Sequence, residues 1–154
     1  MEDTKASRVA EAMLWSIAFP GLGQLRNGKL FKGVLLLLLE LLINAKSHLN
    51  MVILHSFNGD IRNTIDYTDY QWIMFYPCIY MFGIWDAYKD AGGGTKPYAV
   101  FPFAFGAFGG TVGVIFSQRW LGAMWLGLCG LAVGIAVGFA FQLAFRRHRP
   151  EASD

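Results

Sequence analysis

Charge is scarce in this chain, and its scarcity excludes more than any motif admits. Only 16% of the 154 residues are Asp, Glu, Lys or Arg, against about a quarter in an average soluble domain. Hydrophobic residues make up 55%, and the mean hydropathy is +0.38. One core of this size cannot hide that much apolar surface from water, whereas a bilayer solvates it. A net charge of +2 is too small to hold nucleic acid, and the basic residues sit at the ends of apolar runs instead of in one patch. Nucleic acid is therefore not an expected partner.

Cysteine is equally sparse. The two present, Cys78 and Cys129, both fall inside apolar runs, which excludes a disulfide framework. No Ser-His-Asp or Gly-x-Ser-x-Gly set is present, and neither cysteine has a histidine in a catalytic arrangement. Gly92-Gly93-Gly94 lacks the Lys-Ser/Thr ending of a phosphate loop. His48, His55, Asp60, Asp66 and Asp69 match no zinc or calcium spacing. The sequence leads us to expect no enzyme, no cofactor and no metal. It also shows no cleavable signal, because the first apolar run goes straight into Pro20-Gly21 without a small-residue cleavage site.

What is abundant is apolar helix. The first run, 12–19, is far shorter than the roughly 20 residues that a span needs. Residues 5–19 therefore read as an interfacial or re-entrant helix that breaks at Pro20. A second run covers 33–54, and a polar loop at 56–70 follows. A third, 72–87, is bracketed by Tyr70 and Trp72 at one end and by Trp85 and Tyr88 at the other, the aromatic-belt signature. After the triple glycine, 98–116 and 121–145 read as two further spans, antiparallel because only four residues separate them. The expected fold is all-α and membrane-embedded, with four transmembrane helices in two antiparallel hairpins. Residues 1–94 form the motif-bearing module; 95–154 form a Gly-rich hairpin with a basic tail.

Basic residues set the topology. If 12–25 stays on one side, the cytoplasmic face collects Lys5, Arg8, Arg26, Lys29, Lys32, Lys89, Lys96, Arg146, Arg147 and Arg149. The outside keeps the acidic 56–70 loop with Arg62, and Arg119. The positive-inside rule prefers this arrangement, with both termini cytoplasmic in a bacterial-type inner membrane.

Pro20-Gly21-Leu22-Gly23-Gln24 combines a helix stop with two residues tolerant of unusual backbone. Asn27-Gly28 is a turn dipeptide, and Lys29 and Lys32 mark where the next helix enters. Together with Asp86-Ala87-Tyr88 one hairpin later, this run resembles small bacterial and archaeal membrane proteins related to the two-transmembrane-helix domain superfamily. There a Pro-Gly-x-Gly-Gln break precedes the first spanning helix and an Asp-Ala-Tyr box closes the second. The resemblance covers roughly residues 10–92. It departs from the eukaryotic branch, whose Gly-x-His-Arg-Phe-Tyr signature is replaced here by Gly23-Gln24-Leu25-Arg26. It implies a fold and a location but no chemistry. The carried-over motif residues are Pro20, Gly21, Gly23, Gln24, Asp86 and Tyr88, with Asp86 expected to form an interfacial ion pair or cap.

Glu40 lies roughly 10 Å past the start of its span, where a charge is expensive and marks a candidate site. Asn44 and His48 follow at i+4 and i+8, predicting one polar face of Glu40, Asn44 and His48. That face serves either as a proton, cation or substrate path, or as a protonated or hydrogen-bonded carboxyl joining helices, with Asn44 as glue. Tyr76, Tyr80 and Gln142 are the only other polar candidates in the spans. Gly106 and Gly110, Gly109 and Gly113, and Gly130, Gly134 and Gly138 recur every fourth residue, a pattern for close helix packing within the hairpin or against another subunit; within the hairpin, Gly130, Gly134 and Gly138 are expected to face Gly106 and Gly110.

Three functions follow as expectations. The first is a non-catalytic scaffold, anchor or accessory subunit, whose partners are the bilayer and another protein or a second copy. The second is a small transporter or channel subunit using the Glu40-Asn44-His48 face. The third, resting only on interfacial polar groups, is a lipid-acting enzyme.

Overall fold

The computed structural model describes residues 2–147, so Arg149 and the end of the basic tail lie outside the described residues. Among these the chain is all-helical, with no strand. Helix α1 (Glu2–Ala18) stops where Pro20 withdraws an amide donor and Gly21 turns at φ 104°, a left-handed geometry open to glycine. A short α2 (Leu22–Arg26) follows, then the Asn27-Gly28 turn and α3 (Leu30–Ser47). The second apolar run does not continue straight. His48 adopts φ 58° and breaks it into α3 and a separate α4 (Leu49–Phe57).

The stretch expected as a polar loop is largely helical. Asp60 caps α5 (Ile61–Tyr67) by accepting from the Asn63 amide, and Asp69 caps α6 (Tyr70–Ile73) by accepting from Gln71. Each aspartate satisfies an orphan amide of a first turn, which is why acidic residues that read as loop build caps. Pro77 sits in the first turn of α7 (Tyr76–Asp90). Then come α8 (Phe101–Phe116), a 3-10 turn at Ser117–Arg119, and α9 (Gly122–Arg147).

Among the described residues two helical segments, Phe101–Arg119 and Gly122–Arg147, are long and apolar enough to cross a membrane, fewer than the four expected. The reasons are local. Helix α3 has 18 residues but carries Lys32, Glu40 and Lys46. Helix α7 has only 15 residues, because α6 and the turn before Tyr76 take up the start of the 72–87 run. Large apolar side chains nonetheless face outward along most of the helices, among them Phe31 at 82% exposed, Phe108 at 69% and Val133 at 64%.

Helix α1 runs antiparallel to α7. Lys5 lies beside Gly92 just past the end of α7, Ala12 and Ser16 lie beside Gly23, and the Ile17 carbonyl accepts from the Tyr80 hydroxyl at 2.8 Å. Twelve residues of α7 register separate those contacts, or about 18 Å, after which the chain reverses at Pro20-Gly21. Helix α3 then follows α7 in the same antiparallel sense, with Lys32 at Asp86 and Asp90, Leu36 at Gly83 and Glu40 near Tyr76. A small core of Leu49, Val52, Ile73, Val114 and Ala123 ties α4 and α6 to the α8–α9 hairpin.

In that hairpin the glycines make backbone-to-backbone contact. A methyl on Gly109 would collide with the Gly130 carbonyl, one on Gly113 with the Leu126 carbonyl, and one on Gly134 with the Phe105 carbonyl. The partners differ from the expected pairing of Gly130, Gly134 and Gly138 with Gly106 and Gly110. Gly134 does meet the Gly106 backbone, but the vacant Cβ direction of Gly106 meets side chains, Ile135 of α9 and Met81 of α7, that of Gly110 meets Pro77 of α7, and Gly138 abuts Phe101 and Pro102. The 109/113 row closes the hairpin, while the 106/110 row, rotated one residue, lets α7 approach. Cys78 lies 3.6 Å from the Thr111 hydroxyl, and both cysteines are free thiols.

Candidate functional site: a polar knot and a carboxylate cavity

The motif residues converge on one knot. Gln24 is 0% exposed. Its Nε2 donates to the Gly83 carbonyl at 2.8 Å and to Asp86 Oδ2 at 3.2 Å. A buried amide without partners would be costly, so these bonds fix α2 against α7. Gly23 makes the approach possible, since a Cβ there would strike Ser16, the Ala12 carbonyl and Ala87. Gly21 likewise leaves room for the Gly33 carbonyl and Leu37 of α3. Pro20 is fully buried, against Gly83.

Asp86 is shared. Its other oxygen accepts from Lys32 Nζ at 2.7 Å, and Lys32 also reaches Asp90 Oδ2 at 3.0 Å. Asn27 Nδ2 donates to the Ala87 carbonyl at 2.8 Å, and Arg26 pairs with Glu11 at 2.8 Å. Asp86 thus forms an ion pair, and Asn27 and Lys32, read from the sequence as a turn residue and a helix-entry marker, are also bonding partners of α7, as is Asp90 of Lys32. Asp90 had a signal, because it lies one helical turn from Asp86 and so on the same face. Tyr88 is not in the knot. Two residues on from Asp86 it points the other way, and its ring packs on Trp85, Phe103 and Gly93.

Glu40 occupies a different place, about 12 Å along α3 from Lys32. It is 3% exposed, and its Oε2 is buried without a hydrogen-bond partner. The Tyr76 hydroxyl faces the carboxylate. Glu40, Asn44, Tyr76 and Tyr80 line a cavity of about 450 Å³, whose remaining walls are apolar residues from α1 and the turn after it and from α4, α6, α7, α8 and α9. The expected three-residue face holds only in part. Asn44 lines the cavity, although its Nδ2 also reaches Asn50 Oδ1 at 3.4 Å. His48 is exposed at the helix break, because its left-handed backbone ends the 3.6-residue repeat that would have carried it onto Glu40's face. Gln142 lies elsewhere, donating to the Pro97 carbonyl at 3.4 Å.

On the cap, Asp60 accepts from both the side chain and the backbone of Asn63 and lies 3.5 Å from His55 Nδ1. The Asn63 bonds, the side-chain one foremost, hold its carboxyl below the usual aspartate range. His55 stacks on Tyr67 at 5.1 Å. Asp66 is not a partner in this cluster, and among the described residues no group of three His, Cys, Asp or Glu side chains is placed to hold a metal. No family model, no curated protein and no solved structure matches the chain.

Proposed function

We propose that this chain is a four-span membrane protein of a bacterial-type inner membrane, with both termini cytoplasmic. We propose further that it acts without catalysis, as a scaffold, anchor or accessory subunit for a protein partner or a second copy. In this reading α3 with α4, α7, α8 and α9 cross, while α1 and α2 form a re-entrant pair. The observation that carries it is the reversal at Pro20-Gly21. Helix α1 accompanies α7 only from Gly92 to Tyr80, and α2 then leads back to Lys32 and Asp86. The outward-facing apolar side chains support a lipid surround. The residues that carry the resemblance to the two-transmembrane-helix superfamily, Gln24 and Asp86, are consumed in holding this pair in place, which favours a structural role for the motif.

Reporter fusions at residue 3 and residue 29 should both read cytoplasmic, and one within 58–66 should read external. Opposite sides for residues 3 and 29 would mean that α1 crosses, and the four-span topology fails. Carbonate-resistant recovery with the membrane fraction, followed by crosslinking in mild detergent, then identifies the partner.

A second reading has an observation of its own. The cavity holding Glu40 favours a small transporter or channel subunit, and proton- or ion-dependent flux into liposomes that is lost in Glu40→Gln would favour it over the scaffold.

A further inference from the structure

We infer that the Glu40 cavity is a binding site for an apolar amine, a primary or secondary ammonium carried on a hydrophobic body. The inference deepens the second reading above, but it requires only that the site be occupied, not that the occupant be transported. Its size fits, because about 450 Å³ lies within the roughly 300–1,000 Å³ of small-molecule sites. Its composition fits as well, being mostly apolar with a few convergent polar groups.

Charge decides the ligand class. No lysine, arginine or histidine is among the lining residues, so the one ionisable acid in the wall has no cationic partner there. Of the polar hydrogens nearby, the Tyr80 hydroxyl is already committed to the Ile17 carbonyl, and the Tyr76 hydroxyl faces Glu40. Oε2 remains an acceptor without a donor, buried at a position where leaving it unpaired is costly. A ligand that brings an N–H donor with positive charge removes that deficit through a charge-assisted hydrogen bond. The rings of Tyr76 and Tyr80, stacked at 5.8 Å, add faces that attract a cation.

The same lining argues against neighbouring chemistries. A carboxylic acid would bring a second acid beside Glu40, with no base in the lining to take a proton from either. A zwitterionic lipid headgroup would bring a phosphate with no cation to receive it. An alcohol could donate to Oε2 but brings no charge. Ile17 and Leu128, half-exposed at the rim, leave a lateral opening through which an apolar body can enter.

The test uses the full chain in phosphatidylcholine nanodiscs, with empty nanodiscs subtracted, titrated calorimetrically with 4-phenylbutylamine. Saturable one-to-one binding is expected, with 4-phenylbutanol and 4-phenylbutyrate weaker by about tenfold or more, the equivalent of one charge-assisted hydrogen bond. Glu40→Gln should weaken the amine by a similar factor. Leu128→Trp, a change at the rim that leaves the carboxylate and the core packing alone, should block it too, which keeps the test decisive if Glu40→Gln assembles poorly. Equal binding of amine and alcohol, or an unchanged amine affinity in Glu40→Gln, would overturn the inference in favour of an unselective or water-filled cavity. Competition by phosphatidylethanolamine in the disc would overturn the exclusion of phosphate-bearing lipids. None of these results touches the topology, which the reporter fusions test separately.

Discussion

The two halves of this molecule share close glycine contacts, but only the first adds a side-chain knot to them. In residues 1–94 the helices are joined by side chains: Gln24, Asn27, Lys32, Asp86 and Asp90 knot α2, α3 and α7 around a buried amide. In the α8–α9 hairpin they are joined by the absence of side chains, with glycine backbones against carbonyls at Gly109, Gly113, Gly130 and Gly134. The difference teaches where each half can vary. A side-chain knot has slack, since side chains can rotate, and the 450 Å³ space around Glu40 lies where the two halves meet, walled by α8 and α9 as well as by helices of the first half. A backbone contact leaves no such slack, because carbonyls cannot rotate away as side chains do.

The sharpest way to break the comparison is Gly134→Leu. The new side chain would meet the Phe105 carbonyl and the Gly106 Cα at 3.0 Å, neither of which can give. Overpacking typically costs about 1–3 kcal/mol, and this site belongs at the upper end, about 3 kcal/mol. A lowered melting temperature of the monomer is expected. An unchanged monomer that loses a dimer on size exclusion would show instead that this row faces another subunit.

Gln24→Ala should come next. It removes two donors' worth of bonding at a fully buried site, a loss of about 1–2 kcal/mol, and thermal melts should record it. If stability is unchanged, the knot is not what holds α2, and the glycine contacts of Gly21 and Gly23 must carry the whole of that packing.

Asp86→Asn is milder. It keeps an acceptor for Gln24 and weakens only the bond to Lys32, whose side chain is nearly half exposed. Water screens such a pair, so less than about 1 kcal/mol is expected, and a double-mutant cycle with Lys32→Met should return a coupling of that size. A coupling several times larger would mean that lipid excludes water from this end of α7.

The smallest effect concerns the cap outside both packed regions. Asp60 has its carboxyl lowered by the Asn63 bonds, so its contribution to α5 is fully present above the ordinary aspartate value, about 3.9, and fades as pH falls through the depressed folded value. The protection of residues 61–67 against hydrogen exchange, taken relative to the intrinsic rate at each pH, should therefore fall on acidification below about pH 4, and Asp60→Ala should remove that fall. Protection that does not change with pH in the parent chain would place the capping elsewhere.

Parts of this architecture were legible in single residues. Pro20 stops a helix wherever it stands, because it has no amide proton and its ring blocks the preceding turn, so the break at 20 needed no tertiary knowledge. The four-residue glycine spacing announced close packing for the same kind of reason, and the segments Phe101–Arg119 and Gly122–Arg147 are apolar enough to cross a membrane by composition alone. Other features depended on what met what. The order Glu40, Asn44, His48 describes a face only if the helix is unbroken, and the left-handed turn at His48 is a backbone state that sequence periodicity does not register. Gly106 and Gly110 looked interchangeable with Gly109 and Gly113, since a stripe of glycines shows no preferred side until its neighbours are in place: the 109/113 row meets the backbone of α9, while the 106/110 row meets side chains of both α7 and α9. The acidic residues at 60 and 69 read as loop because capping and solvation use the same side chains, and only the following turn separates them.

Composition determined that the chain is helical and apolar beyond the capacity of a single core, because hydrophobic content and helical period are properties of neighbours in sequence. Tertiary structure decided that Gln24 and Asp86 would meet across 62 residues, that α1 would turn back beside Tyr80, and that Glu40 would face a cavity with one oxygen unpaired. Those outcomes rest on which helix packs against which, and hydrogen bonds and cavities exist only between surfaces that packing has already brought together.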